Sequence, residues 1–101
     1  MEGDLIYKNN INYMRDWELI FKSLANINRL KIIEILSSNT GGMTVTDLTE
    51  KLKISFRATS RHLIQLKNVK VLDCEGKDGH VRYFLNKDIP NDFKKVLKQF
   101  L

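Results

Sequence analysis

A mainly α fold closed by one β-hairpin, an α+β class, is what this 101-residue sequence predicts. Three observations carry it. Apolar residues recur at helical spacing through the first two thirds of the chain, the pattern shifts to a two-residue alternation around Asp78-Gly79, and helical spacing returns after Pro90. The length supports one core and no more, so residues 1–101 are read as a single domain.

The first helix, over 10–25, sets Tyr13, Met14, Trp17, Ile20, Phe21 and Leu24 on one broad stripe whose large aromatics suit a core or a partner helix. Asn26 caps the second helix, over 26–38. Its Leu30, Ile32, Ile33, Ile35 and Leu36 wrap most of the circumference, as in a helix at the centre of a small domain. Gly41-Gly42 stop it. Thr44-x-x-Asp47 opens a third helix, over 44–53, as a capping box with Asp in place of Glu. Ser55 caps a fourth, over 55–68, after a connection of only a few residues. Two short helices across so tight a turn make a helix-turn-helix.

The runs 71–75 and 80–85 then flank "GKDG" and form a hairpin over 71–85, with Val81, Tyr83 and Leu85 alternating against Arg82 and Phe84. Pro90 and Asn91 open the last helix, over 90–101, with Phe93, Val96, Leu97 and Phe100 on one face. A lone hairpin is marginal and must lean on the helices. The economical packing is a winged helix-turn-helix with an added helix at each end.

Composition narrows the function classes. A hydrophobic content of 43% with 29% charged residues fits a soluble globular protein. No apolar run approaches the roughly 18 residues that span a bilayer, so no membrane partner is expected. The N-terminus "MEGDLIYKNN" has acids where a secretory signal has lysines, which points to the cytoplasm. Cys74 is the only cysteine and excludes an internal disulfide. With His62 and His80 it forms no ligand-spaced cluster, so neither a metal site nor a cofactor is expected. No nucleophile–base pair, catalytic carboxylate pair or phosphate loop can be assembled, and an enzyme is not expected.

The net charge of +5 is segregated. Lys51, Lys53, Arg57, Arg61, Lys67 and Lys70 fall between residues 51 and 72 with no acid among them. That leaves 11 basic residues against 12 acids elsewhere. A patch of this kind is either a solvated basic face or the footprint of a polyanion partner.

The motifs "L-A-N-x-x-R-L-x-I-I" before and within the second helix, "T-D-L" in the third, "S-R-H-L-x-x-L" in the fourth and "G-H-V-R-Y-F-L" in the hairpin resemble the ArsR/SmtB family of winged-helix transcriptional repressors. The resemblance covers roughly residues 19–86. It implies a homodimer that binds double-stranded DNA and represses transcription. Departures from the family pattern bear on mechanism. Thr44-Val45-Thr46 stands where metal-sensing members carry two cysteines around a valine, and the last helix has no histidine and only Asp92. No metal inducer is therefore expected. Phe56-Arg57 replaces the usual Gln-Pro opening of the reading helix, and Ile27 replaces a usual proline.

On the fourth helix, Ala58, Thr59, His62, Leu63 and Leu66 share the inward face. Ser55, Phe56, Arg57, Ser60, Arg61 and Ile64 face the other way and are the candidate DNA-binding residues. Arg57 and Arg61 suit bidentate guanine contacts, and Ser55 and Ser60 suit phosphates or base edges. Phe56 fits a thymine methyl or a packing role equally. Lys77 and Arg82 on the wing are placed to reach phosphates or the minor groove, and Lys67 and Lys70 the backbone or solvent. His62 is expected to be packed and hydrogen-bonded, and Cys74 to be either a redox handle or a small buried hydrophobe. Tyr13, Trp17, Phe21, Phe93, Val96, Leu97 and Phe100 are assigned to a dimer interface, which would set two reading helices ~34 Å apart on a pseudo-palindromic site. The competing function is a winged helix that binds proteins and leaves its basic face solvated.

Overall fold

The computed structural model describes residues 11–100, with side chains from Tyr13 onward. The N-terminal stretch read for targeting, residue 10 of the predicted first helix and residue 101 of the last lie outside the described residues. Among those described, five helices and a three-stranded antiparallel sheet follow the order α1 (Ile11–Leu24), α2 (Ile27–Ser37), β1 (Met43–Thr44), α3 (Val45–Leu52), α4 (Phe56–Asn68), β2 (Leu72–Lys77), β3 (His80–Leu85), α5 (Asn91–Phe100). This is the winged helix-turn-helix the sequence predicts.

Local chemistry sets the boundaries. The Asn26 side chain accepts from the backbone N–H of Asn28 and Arg29 and starts α2. Thr44 Oγ1 accepts from Asp47 N at 3.2 Å, half of the capping box expected there. Lys53 adopts φ 56° and ends α3 in the left-handed conformation, which turns the chain sharply toward α4. Ser55 Oγ then accepts from Ala58 N at 3.0 Å and begins α4. Asp78 and Gly79 both have positive φ, 55° and 78°, the two-residue turn geometry that matches strand twist.

β1 is not among the elements the sequence predicts. Met43 pairs with Tyr83 and Thr44 with Arg82, so the hairpin gains a third strand and the order becomes β1-β3-β2. Two residues are too short to carry an alternation, and only their partner strand identifies them. The pairing depends on Gly42, whose φ is +81° and whose position leaves no room for a Cβ, which would meet Tyr83 O at 2.7 Å. Gly42→Ala is expected to cost about 2 kcal/mol or more, read as a lower urea midpoint with an unchanged slope.

The core is built around α2. Ile32, Ile33 and Leu36 pack with Leu48 of α3, Leu63 and Leu66 of α4, Val71, Leu72 and Ile89, and with Phe93 and Leu97 of α5. Leu30 and Ile35 are half-buried, so this helix is covered on most sides, as its apolar circumference requires. Trp17 of α1 packs against the core and meets Phe93 edge-on, with ring centroids 5.3 Å apart. The Tyr13 hydroxyl donates to Asp92 Oδ2 and ties α1 to α5.

Candidate nucleic-acid interface

The fourth helix is amphipathic in a particular sense: one face is locked and the other is free. Thr59, Leu63 and Leu66 are fully buried. Thr59 Oγ1 donates to Ser55 O at 3.0 Å and accepts from Thr49 Oγ1 at 2.9 Å, so one buried hydroxyl joins the two helices of the helix-turn-helix with no polar atom left unpaired. No local pattern announces this bond, because its partner sits on another helix.

The outward face carries Phe56, Arg57, Arg61 and Ile64, all exposed, with Ser60 half-buried at its margin. Arg57 and Arg61 lie one helical turn apart. Ser55 is exposed, and its oxygen serves as the cap while its hydroxyl proton remains available. The first turn of α4 holds no acid. Lys51, Lys53, Lys67 and Lys70 are also exposed, so the whole basic segment meets solvent.

On the wing, Lys77 pairs with His80 at the hairpin tip and both are exposed. Arg82 lies further from the hairpin tip than Lys77. It lies in the middle of β3 opposite Thr44 and Glu75, and its Nη1 donates to Gly42 O at 3.3 Å. Part of its guanidinium therefore holds the sheet, and only the rest faces outward. Cys74 is half-buried on β2 opposite Tyr83.

His62 is half-buried, as expected of an inward-facing histidine, and its bonding partner is one the sequence reading did not identify. Arg29 of α2 reaches it, with Nη1 3.2 Å from His62 Nδ1, and the same nitrogen donates to Gln65 Oε1. Arg29 Nε also donates to the backbone carbonyl of Ser23 at the end of α1. Burial first, and then the Arg29 charge, hold the His62 imidazole below its ordinary value of 6.5. It is neutral at pH 7 and can accept. Arg29 lies inside the "L-A-N-x-x-R-L" motif, but the motif does not name its contacts, 33 and 36 residues away.

The residues assigned to a dimer interface separate into two groups. Tyr13, Phe93 and Leu97 are buried within their own protomer, at 8%, 1% and 7% exposure, and Trp17 is half-buried against the core. They hold α1 and α5 in place, while Leu97 also lines the floor of the apolar cleft between Phe21 and Phe100. Phe21, Val96 and Phe100 are exposed at 55%, 40% and 68%, and Met14 at 61% joins them on α1. Phe21, Val96 and Phe100 border an apolar cleft of about 220 Å³ with Leu24, Leu30 and Ile33. Uncovered apolar surface of this kind is a candidate interaction face.

Residues 26–71 match the family model described as bacterial regulatory protein, arsR family. The chain is 33% identical over 82 residues to the transcriptional repressor SdpR of Bacillus subtilis, covering 81% of this chain and 89% of that one. It is 32% identical over 80 residues to the arsenic resistance transcriptional regulator ArsR1 of Pseudomonas putida, covering 79% of this chain and 62% of that one. Among solved structures, a homodimeric winged helix-turn-helix DNA-binding domain from Mycobacterium bovis superposes with a TM-score of 0.76 at 17% identity, covering 91% of this chain and 81% of that one.

Proposed function

Because the chain belongs to the arsR family of bacterial regulatory proteins, we propose that it is a homodimeric, sequence-specific DNA-binding regulator, acting as a repressor in the cytoplasm. One observation carries this reading. Phe56, Arg57, Arg61 and Ile64 stand exposed on a helix whose opposite face is locked by buried Thr59, Leu63 and Leu66, within the segment that holds the protein's whole excess of positive charge.

In this mechanism α4 lies in the major groove. Arg57 and Arg61 pair with guanine edges, Phe56 and Ile64 pack on thymine methyls, and Ser55 and Ser60 meet phosphates or base edges. Lys77 at the wing tip follows the adjacent backbone, with the outward part of Arg82 behind it. Phe21, Val96 and Phe100, with Met14, pair across the two-fold axis. Tyr13, Trp17, Phe93 and Leu97 support those helices from within each protomer. The unusual Phe56-Arg57 opening is where the protein's own base preference resides.

Salt dependence tests the reading. With several phosphate contacts, the affinity for a selected duplex should fall with a log–log slope of about −0.9 per contact. Lys77→Ala should reduce the slope by about 1 and leave base preference unchanged. A flat salt response would point to the alternative, a winged helix that binds proteins through exposed Phe56 and Ile64.

Regulation is proposed to be independent of a metal inducer. The described residues contain no group of three or more His, Cys, Asp or Glu at ligating distance, and Thr44-Val45-Thr46 supplies no thiolate. Addition of zinc, cadmium or arsenite should leave the affinity for the duplex unchanged in an anisotropy titration. Release of the DNA by any of them would overturn this part of the proposal.

A further inference from the structure

We propose that Arg29 is the positioning residue that couples the dimer-forming end of α1 to the DNA-reading helix α4, through one guanidinium bonded to Ser23 O, His62 Nδ1 and Gln65 Oε1. The inference rests on the DNA-binding reading of α4 and goes beyond it, because Arg29 projects from α2 and is bonded to His62 and Gln65, neither of which is among the residues assigned to the DNA surface.

The geometry is that of a bracket. Arg29 projects from α2, the central helix. Its Nε holds the last turn of α1, close in sequence to Phe21 and Leu24 of the apolar cleft. Its Nη1 meets α4 at two positions three residues apart, 3.2 Å from His62 Nδ1 and 2.5 Å from Gln65 Oε1. A planar guanidinium fixes the angles between its donors, so a shift of the α1 end cannot leave α4 unmoved. Arg57 and Arg61 lie on the same helix as His62 and Gln65, and their aim follows the bracket. Pairing of a second copy over Phe21, Val96 and Phe100 therefore sets the orientation of the reading helix.

The bracket needs a neutral His62, since Nδ1 accepts only without its proton. Among the described residues, burial and then the charge of Arg29, from α2, act on His62. Ser23 of α1 contributes a carbonyl to the same guanidinium and Gln65 of α4 an amide, and among the described residues no charged group of α3 or β2 acts on the ring. Protonation removes the acceptor and sets two cations against each other. The folded state resists that proton while the unfolded chain takes it up near 6.5. The stabilising contact is thus complete above this pH and is lost as the pH falls through the lowered folded value.

The experiment measures affinity for a selected duplex by anisotropy from pH 5.5 to 8, with the dimer followed by light scattering. All proteins carry His80→Gln, so that the wing histidine adds no charge of its own. At pH 7.5 Arg29→Ala should bind roughly 10- to 100-fold more weakly while still dimeric, the size expected for lost hydrogen bonds to a charged group. Arg29→Lys should recover little, since one ammonium cannot reproduce the fork. His62→Gln, which keeps an acceptor, should bind within about threefold at pH 7.5 and should lack the acid-side loss of the parent. Affinity of Arg29→Ala within twofold of the parent, or an unchanged acid-side loss in His62→Gln, would overturn the inference. Should Arg29→Ala not fold, the His62→Gln profile decides alone. If the parent binds no duplex at any salt, the DNA reading itself fails. Amide exchange then tests the bracket separately: Arg29→Ala should speed exchange of residues 60–66, and unchanged exchange would overturn the coupling.

Discussion

Replacing Arg57 and Arg61 together by alanine is expected to weaken binding to the cognate duplex by roughly 30- to 10,000-fold. Each bidentate arginine–guanine contact contributes about 1–3 kcal/mol of discrimination. The fold should not change, because both side chains are exposed and α4 is held by Thr59, Leu63 and Leu66 on its other face. A thermal melt within about 0.5 kcal/mol of the parent, beside a large loss of specific affinity, separates recognition from stability. The residual binding should be unspecific and salt-sensitive, carried by Lys51, Lys53, Lys67, Lys70 and Lys77. Unchanged preference between the cognate and a scrambled duplex would remove α4 from the reading role.

Phe93→Ala is expected to cost about 3–5 kcal/mol of folding stability. A domain of this size holds only about 5–15 kcal/mol in total, so much of the protein should unfold in mild urea. Phe93 is 1% exposed and fills the junction of α5, Trp17 and the core. Phe100→Ala, on the same face of the same helix, should behave differently. At 68% exposure it leaves almost no cavity, and the protomer should melt within about 0.5 kcal/mol of the parent. Its effect should appear in sedimentation equilibrium as a weaker dimer. Equal destabilisation by the two changes would mean that Phe100 belongs to the protomer core and not to an outer face.

That contrast marks the limit of what a helical pattern can say. Phe93, Val96, Leu97 and Phe100 share one stripe, and the stripe predicts that the face is covered without naming what covers it. The chain's own core takes Phe93 and Leu97 and leaves Val96 and Phe100 outside. The same division runs along α1, where Tyr13 is buried and Met14 and Phe21 are exposed. The aromatic stripe on α1 carries no mark of that difference.

Local rules, by contrast, were legible. Asn26, Thr44 and Ser55 cap the helices they precede, and each cap is a contact two or three residues long. Asp78-Gly79 makes the hairpin turn because two adjacent residues must accept positive φ. The faces of α4 follow from its own period. Its basic outer surface was readable because charge, unlike packing, needs no partner to be counted.

The sequence by itself therefore determined the helices and the hairpin, their order, the basic outer face of α4 and the family resemblance, since caps, turns and periods act between neighbouring residues. Only the tertiary structure decided the third strand on β3, the Thr49–Thr59 bond, the division of aromatics between core and outer face, and the Arg29 bracket. These depend on which distant residue the fold brings within a few ångströms, 10 positions away for Thr49–Thr59, 36 for Arg29–Gln65 and 40 for Met43–Tyr83. No pattern along one strand or helix encodes that distance.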